Sequence, residues 1–377
     1  MTTLRVVLTE LQASPDSAEA RYAMEITSAL IRTAPDGCDV EGIIASGTRH
    51  DREGIHDLLP TIAALRQIPL SLASVRAAWS IGLTAFTGAG MLHSPSLFAP
   101  LRRYDRLNNA GRQLSVTIAD TRPWRAEGTL PAARARYLRR QGSRAWRFAD
   151  AIVVPTHAVA SDLEELLGAN ERIRVIGNGP SAAAIALAGD HTATESELPA
   201  GYLLIPGGHL DRAWRASVLG ALLERTGGDV PVVITGLDES AAESLRSELA
   251  AADVDHSALI IPAPMTERER AQTIRGASAL VHADLHDGSG QVLIDALTLG
   301  VPIVHVATPA LMEIVDEACV AVDTDADELP ELLADEAIRV LGDDTLRDTL
   351  RLTESDRLRN FGWDYAAAML WQLHADL

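Results

Sequence analysis

Short apolar runs alternate with longer amphipathic stretches along most of this chain. The first run, LRVVLTE at 4–10, has the length and branched content of a buried strand, and 17–32 repeats its apolar residues at helical spacing. DVEGIIASG at 39–47 predicts a second strand. A long, weakly patterned stretch follows. Then MLHSPSLF, SVTIAD, AIVVPT and RIRVIGNG each read as a strand running into a turn, with helices fitting between several of them. A second series opens with GYLLIPGG near 202. It continues through a helix at 214–227, PVVITG, a helix from 240, HSALIIPA, ASALVHAD and VPIVHVAT. Such alternation predicts parallel sheets covered on both faces, with ligands at the carboxyl ends of the strands.

At 377 residues the chain exceeds the size at which one core usually stops growing, and its 47% apolar content suffices for two. Between the series, 181–200 is rich in Ala, Thr, Ser and Glu and reads as a linker, with an Ala-rich helix as the alternative for its first half. This predicts domains at 1–199 and 200–360, with acidic helices after 327 and a last segment, FGWDYAAAMLWQLH, from 361.

A formal charge of −19 argues against a nucleic-acid binder acting through overall charge. Two cysteines, no basic leader and no long apolar run predict a cytoplasmic protein without disulfides. All 33 basic residues are arginine, so every mechanism that needs a lysine is excluded. Residues 102–147 hold twelve of them against three acids, a local net of +9 in a chain whose remainder carries −28. The run Arg134, Arg136, Arg139, Arg140, Arg144 and Arg147 covers more than one helix face. It reads either as a solvated helix paired with the acidic remainder or as a site for an anionic acceptor or membrane surface.

The strongest local signal is LVHADLHDGSGQVLIDA at 280–296, a buried strand, a turn with Gly288 and Gly290, and a helix from about Gln291. Its glycines permit a left-handed turn, and the free amides of the helix's first turn favour a phosphate. Asp287 lies in the turn and Asp295 beyond the first turn of the helix, where a carboxylate accepts from ribose hydroxyls. An ordinary strand–turn–helix with a capping Asp remains the alternative. A second candidate is Gly207-Gly208 with Arg212, whose guanidinium suits a phosphate but also suits a helix surface. His282 and His286 lack a helical context and a third ligand, so no metal site is expected.

On these segments, together with HSPSLFAP, VTIADTRP, ADAIVVPTHAVASDLEELLG and ATPALMEIVDEACVAVD, the chain resembles the retaining GT-B glycosyltransferases of family four, mannosyltransferases among them. The resemblance implies two Rossmann-like α/β domains facing each other across a cleft, and a closing helix, 361–377, that crosses back to the first domain. It places Asp295 at the donor ribose and Asp287 at the donor sugar. Gly207, Gly208, Arg212, Gly288, Ser289, Gly290 and Gln291 are placed around the nucleotide. Several family features are altered. Asp287 and Asp295 replace a pair of glutamates, Ser289 an aromatic and Ala213 a lysine. SPDSAEARY at 14–22 lacks the loop glycines, and Ala119 replaces the first domain's histidine while Asp120 remains. His93, at a strand's end, either faces the cleft or is a buried histidine; with Asp287 and Asp120 it makes up the candidate catalytic set.

The resemblance implies transfer of mannose or glucose from GDP-mannose or UDP-glucose to a lipid-linked or saccharide acceptor, with no permanent cofactor. The alternative is a catalytically silent relative serving as a partner subunit in glycan assembly at the cell envelope. The arginine-rich stretch adds an expectation of peripheral contact with the inner face of an anionic membrane.

Overall fold

The computed structural model describes residues 2–84, 87–103, 111–126, 128–190, 198–210, 212–323 and 327–377, the side chain of Ser355 excepted. They divide into two compact units, Met1–Asn178 with Gly362–Leu377, and Gly179–Phe361.

The first unit holds seven parallel strands: β1 (Thr2–Val7), β2 (Cys38–Ser46), β3 (Ala64–Ser71), β4 (Met91–Ser94), β5 (Gln113–Thr117), β6 (Ala151–Val154) and β7 (Ile173–Val175). They run in the order β3-β2-β1-β4-β5-β6-β7. Central β1 is buried through Leu4, Val6 and Val7 because both faces are covered by helices. Helix Ala18–Arg32 starts where the side chain of Ser17 accepts from Ala20 N. The closing helix, Trp363–Asp376, lies against it, and Trp371 Nε1 donates to Leu30 O at 3.1 Å.

The second unit holds six parallel strands: β8 (Leu203–Pro206), β9 (Val232–Thr235), β10 (Leu259–Ile260), β11 (Ala279–His282), β12 (Ile303–Val306) and β13 (Val320–Val322). Their order is β10-β9-β8-β11-β12-β13. The two units are thus Rossmann-like α/β bodies. In each, strand order reverses direction beside the first strand, between β1 and β4 and between β8 and β11. Parallel sheets of this kind open their ligand crevice at that reversal.

Three details differ from the pattern reading. Strand β1 stops at Val7, and Thr9–Ala13 turns helical. Strand β3 lies within the weakly patterned stretch: as an edge strand it buries only Ile68 well and shows little alternation. The division between units falls after Asn178 rather than near residue 200. The Ala-rich segment forms a helix, Ala182–Ala188, capped by Ser181 and packed on helices Glu267–Gly276 and Gln291–Thr298 of the second unit. Residues 191–197 of the expected linker lie outside the described residues.

Candidate functional site

The reversal point of the second sheet brings together the turns that follow β8 and β11. After β8, Gly207 and Gly208 serve close packing. A Cβ on Gly207 would stand 2.3 Å from Ile234 Cδ1, and one on Gly208 would stand 2.7 Å from Gly236 O. Gly236 itself has φ +81° and packs its own face on Gly208. The paired glycines therefore let the turns after β8 and β9 touch. On helix Arg212–Thr226, Trp214 donates from Nε1 to Ala283 O at 2.7 Å, which fastens the turn after β8 to the end of β11.

The turn after β11 is organised by Asp287. Its Oδ1 accepts from Ser289 N (2.9 Å), Ser289 Oγ (2.9 Å) and Gly290 N (3.0 Å). Its Oδ2 lies 3.1 Å from Nε2 of His282, the buried last residue of β11. Burial pushes the Asp287 carboxyl up. The hydrogen bond and charge of His282, with the Gly290 and Ser289 amides, outweigh it and hold the group well below the usual carboxylate range. Gly288 is buried between them. Gly290 is the left-handed cap of helix Gln291–Thr298, with φ +53°, and a Cβ there would meet Ile314 Cδ1 at 2.6 Å. Among the described residues, the amides of Gln291 and Val292 have no hydrogen-bond acceptor. Free donors at a helix start beside a tight turn are the kind of groups an anion pairs with.

Asp295 is 7% exposed and already employed. Its Oδ1 accepts from Ser181 N at 2.7 Å and from Gln291 Nε2 at 3.4 Å, while Gln291 also donates to Gly179 O at 2.9 Å. The pair fastens the segment 179–181 across the first turn of the helix. Burial raises the Asp295 carboxyl to about 6, against the lowering effect of the Ser181 hydrogen bonds. Two carboxyls eight residues apart are thus held in different protonation regimes by different surroundings.

The remaining candidates are placed elsewhere. Arg212 is exposed, and its guanidinium is taken by Glu248 of helix Glu239–Ala251. It sits on the helix surface, the simpler of its two readings. Asp211 lies outside the described residues. In the first unit, Asp120 follows β5 and accepts from Arg122 N at 3.0 Å in a local turn. His93 does not face a ligand surface. It is fully buried in the core, and its Nδ1 pairs with Ser115 Oγ at 2.9 Å, which pairs in turn with His374 Nε2 at 2.9 Å. Burial and the neighbouring His374 push its pKa down to about 3. Of its two readings the structure takes the buried one, a core histidine on a strand flanked by β1 and β5, rather than the cleft-facing group that a catalytic role needs.

Sequence reasoning missed His282 as the partner of Asp287, although a strand-end histidine five residues before a turn aspartate was a usable signal. It also missed the fastening role of Trp214, and Arg215, a 7%-exposed arginine one turn into the helix after the Gly-Gly turn. Among the described residues, no three His, Cys, Asp or Glu side chains gather as a metal-holding group, and no helix is long and apolar enough to cross a membrane.

Two Rossmann-like units of this kind make a fold shared with GT-B glycosyltransferases. A glycosyltransferase from Rickettsia africae superposes with a TM-score of 0.66 over 100% of this chain and 98% of its own, at 12% identity. Anabaena HepE, solved with UDP and glucose, gives 0.66 over the whole of both chains at 13% identity. Residues 20–182 match the Glycosyltransferase Family 4 model. D-inositol 3-phosphate glycosyltransferase of Xylanimonas cellulosilytica is 28% identical over 238 residues, 60% of this chain. The match spans 57% of that relative's length.

Proposed function

We propose that this chain is a nucleotide-sugar-dependent glycosyltransferase that moves a hexose, glucose or mannose, to a lipid-linked or saccharide acceptor with retention of configuration. The observation that carries the reading is the turn after β11: a left-handed Gly290 and the free Gln291 and Val292 amides at a sheet reversal, organised by Asp287. The diphosphate of UDP-glucose or GDP-mannose sits on those amides, and backbone N–H groups stabilise the leaving nucleoside diphosphate. Asp295, with acceptor capacity beyond Ser181 and Gln291, receives the ribose hydroxyls. Asp287 holds the turn against the donor sugar, and Asp120 lies on the acceptor side. The relative's name, an inositol-phosphate glycosyltransferase, and the UDP and glucose held by HepE support a sugar-nucleotide donor.

A silent partner subunit is the second reading, favoured by the capture of Arg212 by Glu248 in a chain without lysine. Calorimetric titration with UDP, GDP, UDP-glucose and GDP-mannose separates the two, with Asp295→Asn as control. Saturable binding by one nucleotide series, weakened about tenfold or more in the variant, supports the donor site. Absence of heat with all four ligands, from protein that melts cooperatively, supports the silent subunit.

A further inference from the structure

A cleft of about 450 Å³ lies at the amino ends of β11 and β12, the opposite end of the sheet from the turn after β11. Val301 and Pro302, just before β12, give it an apolar floor. Its rim is arginine: Arg275 from the last turn of helix Glu267–Gly276, and Arg347 and Arg351 one turn apart on helix Asp344–Arg357. Ser278 adds a hydroxyl, and among the described residues no acid lines the cleft. That is unexpected here, because the second unit holds thirty-two of the chain's 52 acidic residues and only twelve of its 33 arginines.

Elsewhere in this unit carboxylates take up the guanidinium groups, as Asp335 does Arg225 and Glu267 does Arg270. The cleft arginines are held differently. Arg275 Nη1 donates to Leu187 O at 3.2 Å and Asp190 O at 2.9 Å, and Arg347 Nη1 donates to Val340 O at 2.8 Å and to Leu341 O. These bonds fasten both side chains to the carboxyl ends of helices Ala182–Ala188 and Leu329–Gly342. Arg347 Nη2 pairs with Asp344, and Arg351 Nη1 with Asp348 at 3.2 Å. Those two carboxylates are 88% and 75% exposed, and exposed pairs contribute little. Nε and Nη2 of Arg275 and Arg351, and Nε of Arg347, have no acceptor among the described residues. Three helices end at the cleft, each with roughly half a negative charge. That charge accounts for the capping bonds but not for three guanidinium groups with donors left over.

We propose that this cleft binds a small phosphate monoester. Guanidinium forks match phosphate oxygens, and three of them suit a group with three terminal oxygens better than a carboxylate with two. The volume admits the phosphate together with a small body resting on Val301 and Pro302. A large polyanion is opposed by the acidic surface around the cleft, whereas a small ligand is held at contact distance, where the forks dominate. Helix Gln291–Thr298 separates this cleft from the turn after β11. It starts at Gly290 and ends beside Leu299 and Gly300, which line the cleft. Its eight residues put roughly 12 Å between the two places. The inference therefore does not depend on the donor reading, because the ligand is bound by different residues.

The test is calorimetric titration of the full chain, without nucleotide, using inorganic phosphate and glycerol 3-phosphate as probes and glycerol as the uncharged blank. Saturable binding of both phosphates is expected, with no heat from glycerol. Arg351→Gln should weaken it about tenfold at an unchanged melting temperature, because the pair it removes is exposed. Ser278→Glu, which sets a carboxylate in the cleft, should abolish it. Absence of saturable heat from protein that melts cooperatively overturns the proposal. So does phosphate binding that survives Arg351→Gln and Ser278→Glu undiminished, which would move the phosphate to the turn after β11.

Discussion

Strands β4 and β11 hold the same place in their sheets. Each lies across the order reversal from the strand that opens its unit, and each carries a buried histidine near its carboxyl end, His93 in one and His282 in the other. Their chemistry diverges because of what the neighbouring chain supplies. Around His93, β5 and the closing helix offer a hydroxyl and a second imidazole, and burial among neutral groups keeps the ring uncharged. Beside His282 the turn supplies the Asp287 carboxylate, 3.1 Å away, whose other oxygen gathers the amides that shape the turn. Position in the fold does not make a site. A charged partner facing a turn does.

The largest expected effect is at the turn. Gly290→Val requires a branched residue at φ +53° and a Cβ 2.6 Å from Ile314 Cδ1, and should cost about 3 kcal/mol or more. A melting curve checks it. Gly300→Ala, at φ +67° with open space around it, should cost only about 1 kcal/mol. Next, His93→Ala should destabilise the first unit by about 2–4 kcal/mol, by opening a cavity and removing the partner of Ser115. Nucleotide affinity should be unchanged. Loss of turnover at an unaltered melting temperature would instead return His93 to the reaction and break the comparison.

Glu354 sharpens the contrast with Asp287, because it is a buried carboxyl without a His282. It is 2% exposed, and neither oxygen has a hydrogen-bond partner among the described residues. Burial pushes it to about 7 from its ordinary 4.5. Between those values the unfolded chain sheds a proton that the folded one keeps, so its contribution to stability falls as pH rises through the window and levels off above it. Glu354→Gln should abolish that slope and stabilise the protein at pH 8 by about 1–3 kcal/mol, read from denaturant midpoints at pH 5 and 8. The smallest effect is expected at Arg212. Its pair with Glu248 is exposed, and Arg212→Ala should change stability by less than about 1 kcal/mol. A simultaneous tenfold loss of nucleotide affinity would show that the guanidinium leaves Glu248 for the diphosphate.

The alternation of strands and helices was legible because buried parallel strands are predominantly apolar, as β6, β11 and β12 are. Edge strand β3 was hidden by its exposure. The turn at 287–290 was legible from its glycines and aspartate, since local chemistry fixes local geometry. What could not be read was long-range. Glu248 reaches Arg212 from 36 positions away, and Ser181 reaches Asp295 from 114. The boundary after Asn178 depends on Ser181 and its helix packing on the second unit, a tertiary choice that composition does not record.

The bond from Trp214 to Ala283 makes the indole an internal gauge. Its ring rides on the helix after β8 while its nitrogen holds the carbonyl at the end of β11, so any ligand that draws those two turns together or apart must change that bond. Indole emission follows the hydrogen bonding and polarity around the nitrogen. The protein therefore carries its own optical readout of the spacing between the two turns, with Trp214→Phe as the blank that separates its signal from the other five tryptophans.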